Sequence, residues 1–222
     1  MRRRSLILGG GLLAAGASAL ALNETDAVSG IRAALERGAA SAVSELGRTD
    51  GFMTNAKVHI ELPGALQSAA KLAKAAGQGR KVEELELAMN RAAEAAVPQA
   101  RQLLLNAVRD MSVEDGLKIL HGEQDAATRF FEAKTREPLG RQFLPIVQQA
   151  TRKVSLAEKY NAVAGKAAGF GLLKQEDSNI DVYVTAKALD GLFLMVAEEE
   201  RKIRQDPVRT GSALLKKVFG SL

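Results

Sequence analysis

Apolar residues recur at three- and four-residue intervals along most of the chain, the pattern of helices that each bury one face. Val28, Ile31, Leu35, Val43 and Leu46 interleave with alanines from Asp26 to Leu46, and Gly47 is placed to end that helix. GRTDGF follows as a turn with Asp50-Gly51 at its tip. Val58, Ile60 and Leu62 then alternate with polar residues in AKVHIEL, which predicts an extended segment or at most one small strand. Pro63 opens an alanine-rich helix that ends near Gly77. The next pattern starts near Lys81 with Val82, Leu85, Met89, Ala92 and Ala96 on one stripe, and Pro98 should kink or split it before it reaches Met111. Ser112 and Asp115 have the spacing of a capping box, so a short helix starts there and closes at Gly122. Another begins in EQDAATRFFEAKTRE, with Pro138 and Pro145 punctuating the stretch to about Val154.

The polar patch KQEDSN reads as a loop before the last long helix, which runs from about Asp181 to Arg204 and stops ahead of Asp206-Pro207. At 100° per residue, Val182, Leu189, Leu192, Val196 and Ile203 share one face, while Val184, Ala188, Leu194 and Met195 cover the other. A helix apolar on both sides is expected to be the buried axis of the fold, with Gly191 admitting another backbone. Asp190 then falls inside the core, where a carboxylate must be neutralised or hydrogen-bonded. Lys187, an arginine from another element, or the free amides of another helix could meet it. Beyond Ala197 the composition turns to EEERKIRQD and the helix should emerge into water. Glu200 is the odd acid of that run, since it sits on the apolar stripe between Val196 and Ile203. Arg204 is one partner for it, four residues on. Alternatively Asp190, Glu200, Asp206 and Arg209 line one cleft.

The first 21 residues differ from all of this. MRRRSLILGGGLLAAGASALA has a basic start, a short apolar stretch rich in glycine and alanine, and Ala17-Ser18-Ala19 as a cleavage site, so it is expected to be an export signal. Arg3-Arg4 gives it a twin-arginine character. The remainder, residues 22–222, should then be a periplasmic protein with no stable membrane span. Arg2, Arg3 and Arg4 also explain most of the charge: the net +5 falls to +2 without them. With only 4% aromatic residues, the body lacks both the charge and the stacking platforms of a nucleic-acid binder.

Candidate chemistry is sparse. The chain has no cysteine, which removes disulfides and thiolate sites. Two histidines, His59 and His121, are too few for a zinc enzyme, and Asp50, Asp125 and Asp190 lack the loop spacing of an EF-hand. No nucleophile elbow, phosphate loop or dinucleotide fingerprint occurs. Nothing here calls for a cofactor.

In chain order, GRTDGF, MNRAAEAA, ILHGEQDAATRFF, DVYVTAKALDGLF, EEERKIRQDPVRT and LLKKVFG resemble the domain of unknown function 4197 family, over about Gly30 to Gly220. The resemblance implies an exported bacterial protein with no assigned activity. It brings no catalytic residue, and marks Asp50, Asn90, Glu94, Asp125, Asp190, Glu199, Arg204, Asp206 and Arg209 only as members of shared motifs. The expectation is therefore an all-α, irregular single-domain bundle of about eight helices around a buried C-terminal one. Its function is read as non-enzymatic binding of a partner protein, a peptide or an apolar small molecule. The alternative is a carboxylate-based or divalent-metal-dependent hydrolase using Asp125, Asp190 and Glu200.

Overall fold

The computed structural model describes residues 24–153, 157–158, 160–161 and 179–206. Every regular element among them is helical. The α-helices are α1 (Glu24–Leu46), α2 (Gly64–Ala73), α3 (Gly79–Ala96), α4 (Ala100–Arg109), α5 (Val113–Leu120), α6 (Ala126–Thr151) and α7 (Ile180–Gln205). A π-type turn, Lys74–Gln78, joins α2 to α3, with Gly77 at φ 76° where a side chain would be strained. A 3-10 turn, Val97–Gln99, carries Pro98 between α3 and α4, so the proline splits the long pattern as expected.

Helix ends follow local chemistry closely. Gly47 donates its N–H to Val43 O as α1 finishes. At α5, Asp115 N donates to Ser112 Oγ while Ser112 N donates to Asp115 Oδ2, which completes the capping box. Asn179 caps α7 by accepting from Asp181 N.

α7 lies along α6 and α1 and also touches α3, while α3 packs on α6 and α1 on α4 and α5. Aliphatic side chains and alanines fill the space between them, with Phe52, Phe131 and Phe143 fully buried. Ala92, Ala93, Ala96 and Ala100 are all completely buried, so the helix axes can approach closely here.

Three expectations need correction. First, α6 runs unbroken through Pro138 and Pro145. An interior proline costs roughly 3 kcal/mol because it removes a hydrogen bond and crowds the preceding turn. Opposite these prolines, Phe131, Thr135, Leu139, Phe143, Val147 and Thr151 recur every fourth residue and are all buried. The prolines sit away from that stripe, and the carbonyls they leave without a donor belong to the exposed residues Lys134 and Arg141, where water can reach them. Tertiary burial outweighs the local penalty.

Second, of the two readings of AKVHIEL the small strand is not formed, and residues 59–63 run outside regular structure. Val58, Ile60 and Leu62 do point into the core, as the alternation requires, but no neighbouring strand is present among the described residues. The Asn90 side chain takes the role of that neighbour: its Oδ1 accepts from Ile60 N at 2.9 Å and its Nδ2 donates to Ile60 O at 3.0 Å.

Third, α7 is not buried all round. Val182 and Leu194 are 40% and 38% exposed, and with Lys187 and Asp190 they form a solvent-facing stripe along an otherwise buried helix. The i, i+3 pair Lys187 and Asp190 marked the wet side, and the two hydrophobic residues beside it are simply exposed. Gly191 does not admit a backbone either. A Cβ there would lie 2.8 Å from the Phe52 ring and 3.2 Å from Val58 Cβ, so the glycine makes room for side chains of the loop after α1.

Candidate functional site

The polar residues singled out by the sequence fall into separate places. Asn90 and Glu94 belong to α3, one turn apart, and both hold the segment between α1 and α2. Glu94, 5% exposed, accepts from Phe52 N at 3.0 Å and Met53 N at 3.2 Å. Its other oxygen accepts from Arg91 Nη1 at 2.6 Å, and Arg91 Nη2 reaches Asp50 Oδ1 at 2.7 Å. The hydrogen bonds to Glu94 and then to Asp50 raise the Arg91 guanidinium above its ordinary value. Asp50 adopts φ 66°, a left-handed conformation that aspartate tolerates better than most residues. Gly51 follows it against the last turn of α1, where a Cβ would come within 2.5 Å of Leu46 O. The Asp50-Gly51 tip is thus a fixed corner held by an arginine.

Glu200, also 5% exposed, sits at the N-terminus of α6. It accepts from Ala127 N at 3.0 Å, Thr128 N at 2.9 Å and Thr128 Oγ1 at 2.9 Å, groups that lack partners within their own helix. Arg204 donates to Glu200 at 3.1 and 2.9 Å and sends Nη2 to Ile119 O at 2.7 Å, in the last turn of α5. An anion at the start of α6 and a cation at the end of α5 both complement the helix dipoles. The pair predicted from i, i+4 spacing exists, and its further work is to join two helix ends to a third helix.

Asp190 lies on the solvent-facing stripe with its side chain 47% exposed, so the expected burial is wrong. The anticipated partners are there all the same: Arg136 of α6 at 2.5 Å and Lys187 at 3.6 Å. Burial alone would lower the Arg136 guanidinium, but the hydrogen bond and charge of Asp190, helped by Glu132, carry it above its ordinary value. Arg136 also stacks over Phe193, 5.9 Å from the ring centre. Asp125 pairs with Arg129, one turn along α6, at 2.9 Å. Glu199 pairs with Lys202 at 2.6 Å, and Asp206 is exposed at the end of α7. Arg209 lies outside the described residues, so the cleft drawn through it has no geometry here.

Asp125 and Glu200 both stand at the start of α6 but pair with different arginines, Asp190 lies about three turns away beside Arg136, and no group of three or more histidines and carboxylates able to hold a metal ion occurs among the described residues. The space beside Glu200, lined by Ile31, Leu35 and Ile203, is only about 10 Å³. Larger openings lie elsewhere. One of about 270 Å³ runs between α2, α3 and the segment before α2, at His59 and Glu86. Both His59 nitrogens face acceptors, Met53 O and Glu86 Oε1, each at 2.9 Å. A second, of about 210 Å³, lies on the other side of the same segment, against Lys187 and Gly191.

A match to the family described as protein of unknown function (DUF4197) spans residues 21–220. The chain belongs to the DUF4197 family. No curated protein and no solved structure matches it. In this DUF4197 chain, the motif MNRAAEAA gives Asn90, Arg91 and Glu94, the three residues that fix the loop, and ILHGEQDAATRFF gives the two helix ends joined by Glu200 and Arg204. The sequence candidates did not include Arg91, Arg136, His59 or Glu86. Arg91 was visible as the residue between two polar groups on a buried stripe. Arg136 shows only an i, i+4 glutamate in sequence, because its link to Asp190 crosses 54 residues.

Proposed function

We propose that this chain is an exported, non-enzymatic helical module, a single domain over residues 22–222 built of about eight helices, that binds a partner protein, a peptide or a small molecule. The reading rests on how its carboxylates are used. Asp50, Asp125, Asp190 and Glu200 each meet an arginine of their own, Arg91, Arg129, Arg136 and Arg204 in turn. A general acid or base needs a free position beside a cavity that holds substrate. The buried carboxylates Glu94 and Glu200 instead spend their oxygens on backbone amides and arginines. The space that the described residues leave beside Glu200 is about 10 Å³. Export is carried by the basic, alanine- and glycine-rich first 21 residues, which fit a cleaved twin-arginine or general secretory signal.

The test is fractionation of the native host followed by purification from the periplasm and native mass spectrometry. The expected result is a chain shortened by about 21 residues, carrying a non-covalent ligand or partner. Recovery of the uncleaved chain from the cytoplasm overturns the export reading. A hydrolytic activity that Glu200→Gln abolishes at unchanged melting temperature overturns the non-enzymatic one.

A further inference from the structure

Resting on that binding reading, we infer that the groove between α2, α3 and the segment before α2 is a site for a small zwitterion with an aliphatic body, of the size of an amino acid or dipeptide. The groove has a volume of about 270 Å³, and its apolar floor is Leu62, Ala70 and Val82, each no more than 8% exposed. Its walls carry both signs of charge. Lys71 in the last turn of α2 and Lys74 at the start of the π-type turn after it line it, as do Glu61 and Glu86.

At Asp50, Asp190 and Glu200 acids and bases pair closely. In the groove, Lys71, Lys74 and Glu61 take part in no ion pair with a described residue, although lysines and carboxylates share it. Glu86 is engaged by His59, whose other nitrogen meets Met53 O, so this end of the groove is a fixed polar wall. Gln67 spans from α2 to Leu62 O at 3.2 Å and holds the helix over the floor. Opposite charges beside an apolar floor match a ligand that carries both signs of charge and an aliphatic side chain. A carboxylate would meet the lysines and an ammonium would meet Glu61 and Glu86, each as a charge-assisted hydrogen bond. Specificity would come from losing either end, because each truncated ligand forgoes one charge-assisted contact.

The experiment is a titration of the natively purified protein with L-leucine and with the dipeptide Leu-Ala, read by calorimetry and by the His59 ring resonances. 4-Methylpentanoate, which lacks the ammonium, and 3-methylbutylamine, which lacks the carboxylate, serve as probes of each end. The expected result is saturable binding of L-leucine or Leu-Ala with a shift at His59, about tenfold or more weaker for each truncated probe. Binding should be lost in the exposed double variant Lys71→Ala/Lys74→Ala at unchanged melting temperature. Three results overturn the proposal: no saturable binding of either zwitterion, a truncated probe binding as tightly as L-leucine, or unchanged binding in the double variant. If the zwitterions fail while native mass spectrometry finds another ligand or a partner, the site falls and the binding reading stands. If a bound zwitterion is chemically converted, the site stands and the non-enzymatic reading falls.

Discussion

Asp190 and Glu200 sit ten residues apart on one helix, and their surroundings in sequence are the reverse of their surroundings in space. Asp190 is flanked by ALDGLF and faces water, with 47% of its side chain exposed. Glu200 is flanked by EEERK and is 5% exposed. Burial on a helix follows angular position, and charge density along the chain says little about it. The energetic consequence is also reversed. An exposed pair such as Asp190 with Arg136 trades hydration for a screened attraction, so it contributes little. Glu200 replaces water with three donors of α6 and with Arg204, and removing it leaves those donors without their acceptor and takes the carboxylate from a mostly buried guanidinium.

The largest effect should therefore come from Glu200→Ala, which is expected to lose roughly 3–5 kcal/mol in urea unfolding. Arg204→Ala should lose a similar amount, and the double variant should lose less than the sum because the two share one network. If Glu200→Ala loses no more than a surface substitution, the contrast between the two acids is broken. Glu94→Ala extends the comparison to a second buried carboxylate. It frees two backbone amides, and a loss of about 1–3 kcal/mol is expected, with proteolysis appearing first at Phe52 and Met53.

Gly191→Ala probes the same helix beside Asp190 and tests packing alone. The added methyl meets the Phe52 ring and Val58, so a loss of about 1–3 kcal/mol is expected by thermal unfolding. Asp190→Ala should lose less than about 1 kcal/mol, and even that should fade in high salt. A larger, salt-resistant loss would mean that Asp190 belongs to the core after all.

The smallest effect lies in acid. The Ser112 hydroxyl, and then its N–H, hold the Asp115 carboxyl below its ordinary value. Its folded value is thus below the unfolded one, so the stabilisation is fully present at neutral pH and fades as pH falls from about 4 through the depressed value. Asp115→Asn should flatten that acid limb of the stability curve, whereas Asp190→Ala should leave the Asp115 contribution in place.

The elements and their ends were legible because their causes are local. Gly47, the Ser112 and Asp115 box, Pro98 and the residue before Pro207 each act within one turn of where they stand. Glu200 could be singled out for the same reason, as an acid on an apolar stripe with Arg204 four residues on. What it caps could not be read, since Ala127 and Thr128 lie more than seventy residues away. Pro138 and Pro145 misled for the opposite reason: their local cost is real, and only the buried stripe of α6 against its neighbours outweighs it.

By itself, the sequence determined that the chain is helical, where its helices stop and which residues had to be satisfied, because hydrogen bonding within a turn and side-chain periodicity are short-range. Only the tertiary structure decided which side of α7 is wet, that Asn90 stands in for a strand, and which carboxylate closes which helix. Those outcomes depend on what packs against each face, and distant segments settle that together.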